Sequence, residues 1–128
     1  MSNPTASARN IYKILTPDQW ATLCRNGETT GSPLDQADGF IHFSTPAQVA
    51  GTLSKHFAGA GPLVLAEIPL PRLTAQNVRW ERARNGDLFP HLYGVLAHDS
   101  VSQYWSLHPD DAGVYALPET FRTKIVGT

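Results

Sequence analysis

Asp38-Gly39-Phe40-Ile41-His42-Phe43-Ser44-Thr45 gathers more residues able to do chemistry than any other stretch of the chain. Read as a strand it alternates faces, so Phe40, His42 and Ser44 point one way and Ile41 and Phe43 the other. An aromatic, an imidazole and a hydroxyl in one row can stack a flat ring and hydrogen-bond a sugar or a phosphate. The plainer alternative is a strand histidine satisfied by a neighbouring carbonyl. A second row lies in Phe89-Pro90-His91-Leu92-Tyr93-Gly94, where Phe89, His91 and Tyr93 share a face if the stretch is extended. Pro90 restricts it to an edge or a strand start, and Gly94 leaves room for a backbone or ligand to approach the Tyr93 phenol. The same window also reads as a turn that caps a sheet.

Between the two rows, Val78-Arg79-Trp80-Glu81-Arg82 supplies a carboxylate flanked by bases and an aromatic. Glu81 could orient a histidine or a ribose hydroxyl. If Asn85-Gly86 closes a two-residue hairpin, Trp80 faces His91 and Glu81 faces Pro90, which puts Glu81 and His91 on different faces. A loop one residue longer reverses this. Otherwise Glu81 is an ion-pair partner of Arg79 or Arg82 on a solvated face. Tyr12-Lys13 is the polar pair of an apolar first strand, with Tyr12 packing and Lys13 solvated unless the strand lines a groove.

Metal chemistry finds little footing. His42, His56, His91, His98 and His108 show no ligand spacing, and Asp35 and Asp38 alone are too few oxygens for a cation. Cys24 is expected on the buried face of a helix, as core and not nucleophile. Gly-x-Gly-x-x-Gly, the P-loop and Gly-x-Ser-x-Gly are all missing, so the usual dinucleotide, NTP and hydrolase signatures give no support.

The elements that must position these groups follow from periodicity. Met1 to Asn10 is polar and aperiodic and reads as an arm before a single domain of residues 11–128. Ile11 to Leu15 is the first strand, and Thr16-Pro17-Asp18-Gln19 starts a helix with Trp20, Leu23 and Cys24 on one face, ended by Asn26-Gly27. A polar loop between Gly31-Ser32-Pro33 and Asp38-Gly39 leads to a strand over Phe40 to Ser44. Thr45-Pro46-Ala47-Gln48 starts a second helix with Val49, Leu53, His56 and Phe57 inward. Leu63 to Ile68, apolar at nearly every position, is a central strand covered on both faces, stopped by Pro69 and Pro71. Short strands follow at Val78 to Arg82, Leu88 to Leu96, Val101 to Leu107 and Val114 to Leu117. Helices early and strands late predict an α+β fold with a mixed, mainly antiparallel sheet and two helices, both in the N-terminal half and on one side of it.

Composition bounds the function. The chain has 128 residues, 41% of them hydrophobic, with 11 acids against 10 bases and a net charge of -1. That balance argues against general nucleic-acid binding, leaving only the local patch of Arg79, Arg82 and Arg84. No apolar run approaches the roughly 20 residues of a membrane-spanning helix. One cysteine and no signal pattern point to the cytoplasm.

Ile11-Tyr12-Lys13-Ile14, Trp20, Asp38 to Thr45, Trp80-Glu81 and Phe89 to Gly94 occur in the order in which they resemble domain-of-unknown-function family 952, from about Ile11 to Leu107. The resemblance implies a fold like that of the ADP-ribosyltransferases, including the RNA 2'-phosphotransferases, whose split sheet cradles NAD. On that comparison Tyr12-Lys13 stands where those enzymes grip NAD, with Lys13 and Ile14 departing from their pattern. His42, in Ile-His-Phe-Ser-Thr, resembles the Val-His-Leu segment of the 2'-phosphotransferases. Ser44 and Thr45 are similar to the Ser/Thr that follows the second strand in other transferases, while Glu81 or His91 would serve for their catalytic glutamate. Cleaving the nicotinamide–ribose bond builds oxocarbenium character, which calls for a ribose anchor, a stacking ring and charge stabilisation. His42 and Ser44 suit the anchor, Phe40 or Tyr93 the stacking, His91 proton transfer, and Lys13 and Arg79 the pyrophosphate. The resemblance therefore implies a small nucleotide-like partner, NAD, and no metal. A binding module without turnover, or an interaction domain whose histidines merely finish the sheet, are the competing readings; oligomeric state is left open.

Overall fold

The computed structural model describes residues 10–74, 77–83 and 86–126, the last four by their backbone alone. In chain order the elements are β1 (Asn10–Leu15), α1 (Pro17–Asn26), β2 (Glu28–Thr29), α2 (Pro33–Asp38), β3 (Ile41–His42), α3 (Val49–His56), β4 (Leu63–Pro69), β5 (Val78–Arg82), β6 (Leu88–Leu92), β7 (Leu96–Ala97), β8 (Gln103–Leu107) and α4 (Glu119–Val126). The fold is α+β, and every ladder between these strands is antiparallel. No helix among the described residues is long and apolar enough to cross a membrane.

β4 is the middle strand of a sheet ordered β1-β4-β8, with Ile11 opposite Ile68 and Leu65 flanked by Ile14 and Trp105. Its six residues from Leu63 to Ile68 are all buried, as a run apolar on both faces requires. A second sheet, ordered β3-β6-β5, is joined to the first where Tyr12 and Ser44 exchange backbone hydrogen bonds of 2.8 and 2.9 Å. β2 and β7 form a separate short pair.

The helices do not share one side. Leu23 of α1 packs with Ile11, Leu15, Ala66 and Ile68, whereas Val49 and Leu53 of α3 pack with Tyr12, Ile14, Leu63 and Leu65. Alternate residues of β1 and β4 are apolar on both faces, so each face needs its own cover. Two further helices stand beside the expected pair. α4 closes over Tyr12 and Trp105 through Phe121. α2 replaces the polar loop, because Ser32 accepts from the Asp35 N–H at 3.1 Å and Asp35 accepts from the Ser32 N–H at 2.8 Å. This is the same box that starts α1 at Thr16 and Gln19, with Asp in the place of Gln.

Other boundaries shift for local reasons. Asn10, assigned to the arm, opens β1 opposite Pro69, and the rest of the arm lies outside the described residues. Thr45-Pro46 starts a 3-10 turn before α3, and His56 is exposed, not inward. The long strand expected at Leu88 to Leu96 breaks after Leu92, and Val114 to Leu117 makes only the bridge of Tyr115 with Pro109. Cys24 is exposed, so the buried face of α1 is Leu23 with half-buried Trp20.

Candidate functional site

Register across β3, β6 and β5 builds the site. His91 stands opposite His42 on one side and opposite Arg79 on the other. In the next row Phe40 lies beside Tyr93, with ring centres 5.2 Å apart, and on the far side Glu81 stands opposite Phe89. The hairpin between β5 and β6 decides this. The Ala83 N–H donates to the Asp87 carbonyl at 2.9 Å, closing a loop of three residues where Asn85-Gly86 suggested two. Asn85 and Arg84 themselves lie outside the described residues. The one-residue shift turns Glu81 onto the face of His91, as the longer loop requires.

Around His91 the charges are ordered. Glu81 Oε1 lies 2.7 Å from His91 Nδ1 and accepts from the Tyr93 hydroxyl at 2.7 Å. The Tyr93 hydrogen bond first, and then His91, hold the Glu81 carboxyl below its ordinary range, and Glu81 in turn pushes the Tyr93 phenol up. A carboxylate only accepts, so Nδ1 donates and Nε2 lies on the opposite edge of the ring. Phe40 stacks on His91 with centres 4.1 Å apart, and the Arg79 guanidinium sits 4.7 Å over the Tyr93 ring.

His42 is held from behind by a residue that its sequence neighbourhood did not mark for this role. Asp35, 1% exposed, accepts at Oδ1 from the His42 backbone N–H at 3.1 Å and lies 2.6 Å from His42 Nδ1. Its Oδ2 accepts from the Ser32 N–H and from Lys13 Nζ, each at 2.8 Å. Burial alone would raise this carboxyl, but the His42 hydrogen bond and the Lys13 charge outweigh it and hold the group well below the usual range. Lys13 is itself buried and donates also to the His42 carbonyl at 3.1 Å, so its ammonium serves the site from within. On the other side His42 Nε2 meets Asp38 Oδ2 at 3.0 Å. His42 and His91 lie edge to face, 5.4 Å apart.

Three expected site residues stand apart from this cluster. Tyr12 is 1% exposed and donates to Glu67 at 2.8 Å; burial and that carboxylate push its phenol up. Ser44 is buried against Thr52 of α3 at 2.9 Å, and the Thr45 N–H donates to Gln48 at the helix start. Glu67 takes the Tyr12 hydroxyl, Thr52 of α3 the Ser44 hydroxyl, and the helix start the Thr45 N–H, so all three serve the fold.

Gly31 makes room for Asp35. It has φ of +100°, and a Cβ there would lie 2.5 Å from both Cβ and Oδ2 of Asp35. Four donors fix that carboxylate, so it cannot swing aside. Gly31→Ala is expected to cost about 2 kcal/mol or more, from left-handed strain plus overpacking, read as a lowered urea midpoint. An unchanged midpoint would mean that Asp35 yields.

A shallow cleft of about 450 Å³ opens beside Phe40, Gly94 and Val95, and it adjoins another of about 430 Å³ through the shared walls of Thr30 and Gln36. Neither is lined by His42 or His91, which stand on the sheet face beside Phe40 and not in a cleft of their own making. Among the described residues no group of three His, Cys, Asp or Glu side chains is placed to hold a metal. Residues 14–104 match the family described as protein of unknown function (DUF952). The chain belongs to the DUF952 family. Its fold is similar to the crystal structure of protein CC0527 from Caulobacter crescentus, with 37% identity and a TM-score of 0.81 over 88% of this chain and 98% of that one. The solution structure of CC0527 is similar too, with 39% identity and a TM-score of 0.73 over 82% and 90%. No curated protein matches the chain. In this DUF952 chain the family match spans Asp35, Asp38, His42, Glu81, His91 and Tyr93, while Lys13 falls one residue before it.

Proposed function

We propose that this DUF952 protein binds NAD or a closely related nucleotide on the face shared by β3, β6 and β5, and that the site is built for ADP-ribosyl transfer. One observation carries the reading: two imidazoles, each oriented by a carboxylate at Nδ1, stand 5.4 Å apart with Phe40 against both rings. Phe40 and Tyr93 suit a flat ring, and the open depression on the Gly94 side of Phe40 is where the remainder of a nucleotide would run. The resemblance of such proteins to ADP-ribosyltransferases favours NAD among the candidates.

The histidines then divide the work. Both nitrogens of His42 face carboxylates, which suits a donor that anchors a ribose hydroxyl. His91 has its Nδ1 proton fixed on Glu81, so Nε2 is the group that can take up a proton. In the transfer, the C1'–nitrogen bond breaks with its electron pair leaving on nicotinamide, an acceptor oxygen or nitrogen bonds to C1', and its proton passes to His91. Arg79 supplies positive charge for the pyrophosphate from the edge of the site.

A second reading, binding without turnover, draws on Lys13: its ammonium is engaged by Asp35 and does not reach for phosphate. Titration with NAD, ADP-ribose and nicotinamide, followed by calorimetry and thermal shift, separates the two. At about 100 times its dissociation constant NAD should stabilise the fold by roughly 2.7 kcal/mol, a shift of several degrees. His42→Ala is expected to lose that shift; because it also takes a donor from the buried Asp35 carboxylate and lowers the unliganded melting point, the shift is read against the variant's own ligand-free value. His91→Ala is expected to keep binding and lose nicotinamide release. Binding by the parent without nicotinamide release favours the module, and no shift with any of the three ligands removes the nucleotide reading.

A further inference from the structure

Both ring nitrogens of His42 meet carboxylates, and the two carboxylates differ in every respect but charge. Asp35 is buried, and its oxygens also hold the start of α2 through the Ser32 N–H, the backbone of β3 through the His42 N–H, and the Lys13 ammonium. It cannot leave His42 Nδ1 without dismantling three elements. Asp38 is 42% exposed and touches Nε2 from the last residue of α2, before Gly39 turns the chain with φ of +85°. A carboxylate at that end of a helix faces the carbonyl ends and gains nothing from them. Among the described residues His42 is its ion-pair partner, and solvent competes for that contact.

We infer that Asp35 is the positioning residue of His42, fixing the ring through Nδ1, and that Asp38 is a removable occupant of Nε2, standing where an oxygen acceptor of the bound ligand goes. The assignment rests on the reading of this face as a ligand site and deepens it. Until Asp38 leaves, the donor that the ligand needs is taken, so the apparent affinity falls by the fraction of molecules in which Nε2 is free. An anionic oxygen arriving at Nε2 also meets Asp38 as a like charge, which favours a hydroxyl over a phosphate at this position.

The test needs no ligand to begin. In ligand-free full-length protein labelled with 15N-histidine, long-range proton–nitrogen spectra report each ring nitrogen of His42 separately. Asp38→Ala is expected to move the Nε2 resonance and to leave Nδ1 and the ring's proximity to Phe40 and His91 unchanged. Asp35→Asn is expected to move Nδ1 and to weaken that proximity. Equal disturbance of Nδ1 by both substitutions overturns the assignment. If Asp35→Asn does not fold, the parent decides: a bonded, slowly exchanging Nδ1 proton supports a fixed ring, and its absence overturns it. With NAD as the probe, Asp38→Ala should bind several-fold tighter than the parent and Asp35→Asn weaker. Equal or weaker binding by Asp38→Ala overturns the occupant assignment. If NAD binds no variant and not the parent, the nucleotide reading falls, and the ring spectra decide the two carboxylates on their own.

Discussion

Asp35→Ala is expected to lower the stability of the fold by about 3–5 kcal/mol, because it leaves a buried ammonium without its counter-charge. The carboxylate is 1% exposed and Lys13 beside it 7%, so water does not replace what is lost. Three other donors lose their acceptor at the same time: the Ser32 N–H, the His42 N–H and His42 Nδ1. For a domain of this length that loss is a fall in melting temperature on the order of 10–20 °C. The orphaned ammonium is the dominant part, which gives a sharper check. Lys13→Met combined with Asp35→Ala should recover part of the loss, since an apolar pair leaves no unpaired charge. Urea unfolding of the parent, both single variants and the double variant measures this. A single-variant loss below about 1 kcal/mol, or a double variant no better than Asp35→Ala, would show that Lys13 and Asp35 are not one buried unit.

How far the sequence reaches depends on the range of the interaction. Ile41 and Phe43 inward with His42 between them is local alternation, and it is legible from five residues. The central place of β4 is equally legible, because a strand apolar at five of the six positions from Leu63 to Ile68, with Glu67 the exception, must be covered on both faces. The β5–β6 register is a near miss of another kind. Asn-Gly favours a two-residue turn, yet Ala83 and Asp87 close a loop one residue longer, and that single residue decides whether Glu81 meets His91. α2 was readable in principle. Ser32-Pro33-Leu34-Asp35 repeats the start signal of α1, but aspartate at the box position and a helix of only six residues make it look like loop.

The group that organises the site was out of reach for a physical reason. Lys13, Asp35 and His42 come from β1, α2 and β3, and no spacing along the chain announces that they converge. From the sequence Asp35 reads only as one of two carboxylates too few to hold a metal ion, and nothing there marks it as the partner of Lys13. The same convergence explains why Lys13 is buried inside the site and not offered to a phosphate. Burial of a charge between strands is a tertiary property, visible only once β1 and β3 are joined at Tyr12 and Ser44.

Acid should unfold the parent along a limb that Asp35 steepens. The folded-state carboxyl titrates below its unfolded value of about 3.9, held down by His42 and Lys13 against the opposing effect of burial. A depressed carboxyl contributes stability that is fully present above the unfolded value and is lost as pH falls through the folded one. Between the two values the unfolded chain binds one more proton than the folded chain. Stability then falls by up to about 1.4 kcal/mol per pH unit from this group alone. The urea midpoint of the parent is therefore expected to carry no contribution to its slope from Asp35 above about pH 5 and to drop steeply from pH 4 toward pH 2. Asp35→Asn cannot titrate at this position, so its midpoint starts lower and falls less. Glu81 also titrates low, but it is half-buried on another strand and common to both proteins, so it cancels in the difference. Parallel acid limbs for parent and variant would mean that the Lys13 and His42 contacts do not bias the protonation of Asp35. In that case the 2.6 Å contact with His42 would be packing without electrostatic consequence.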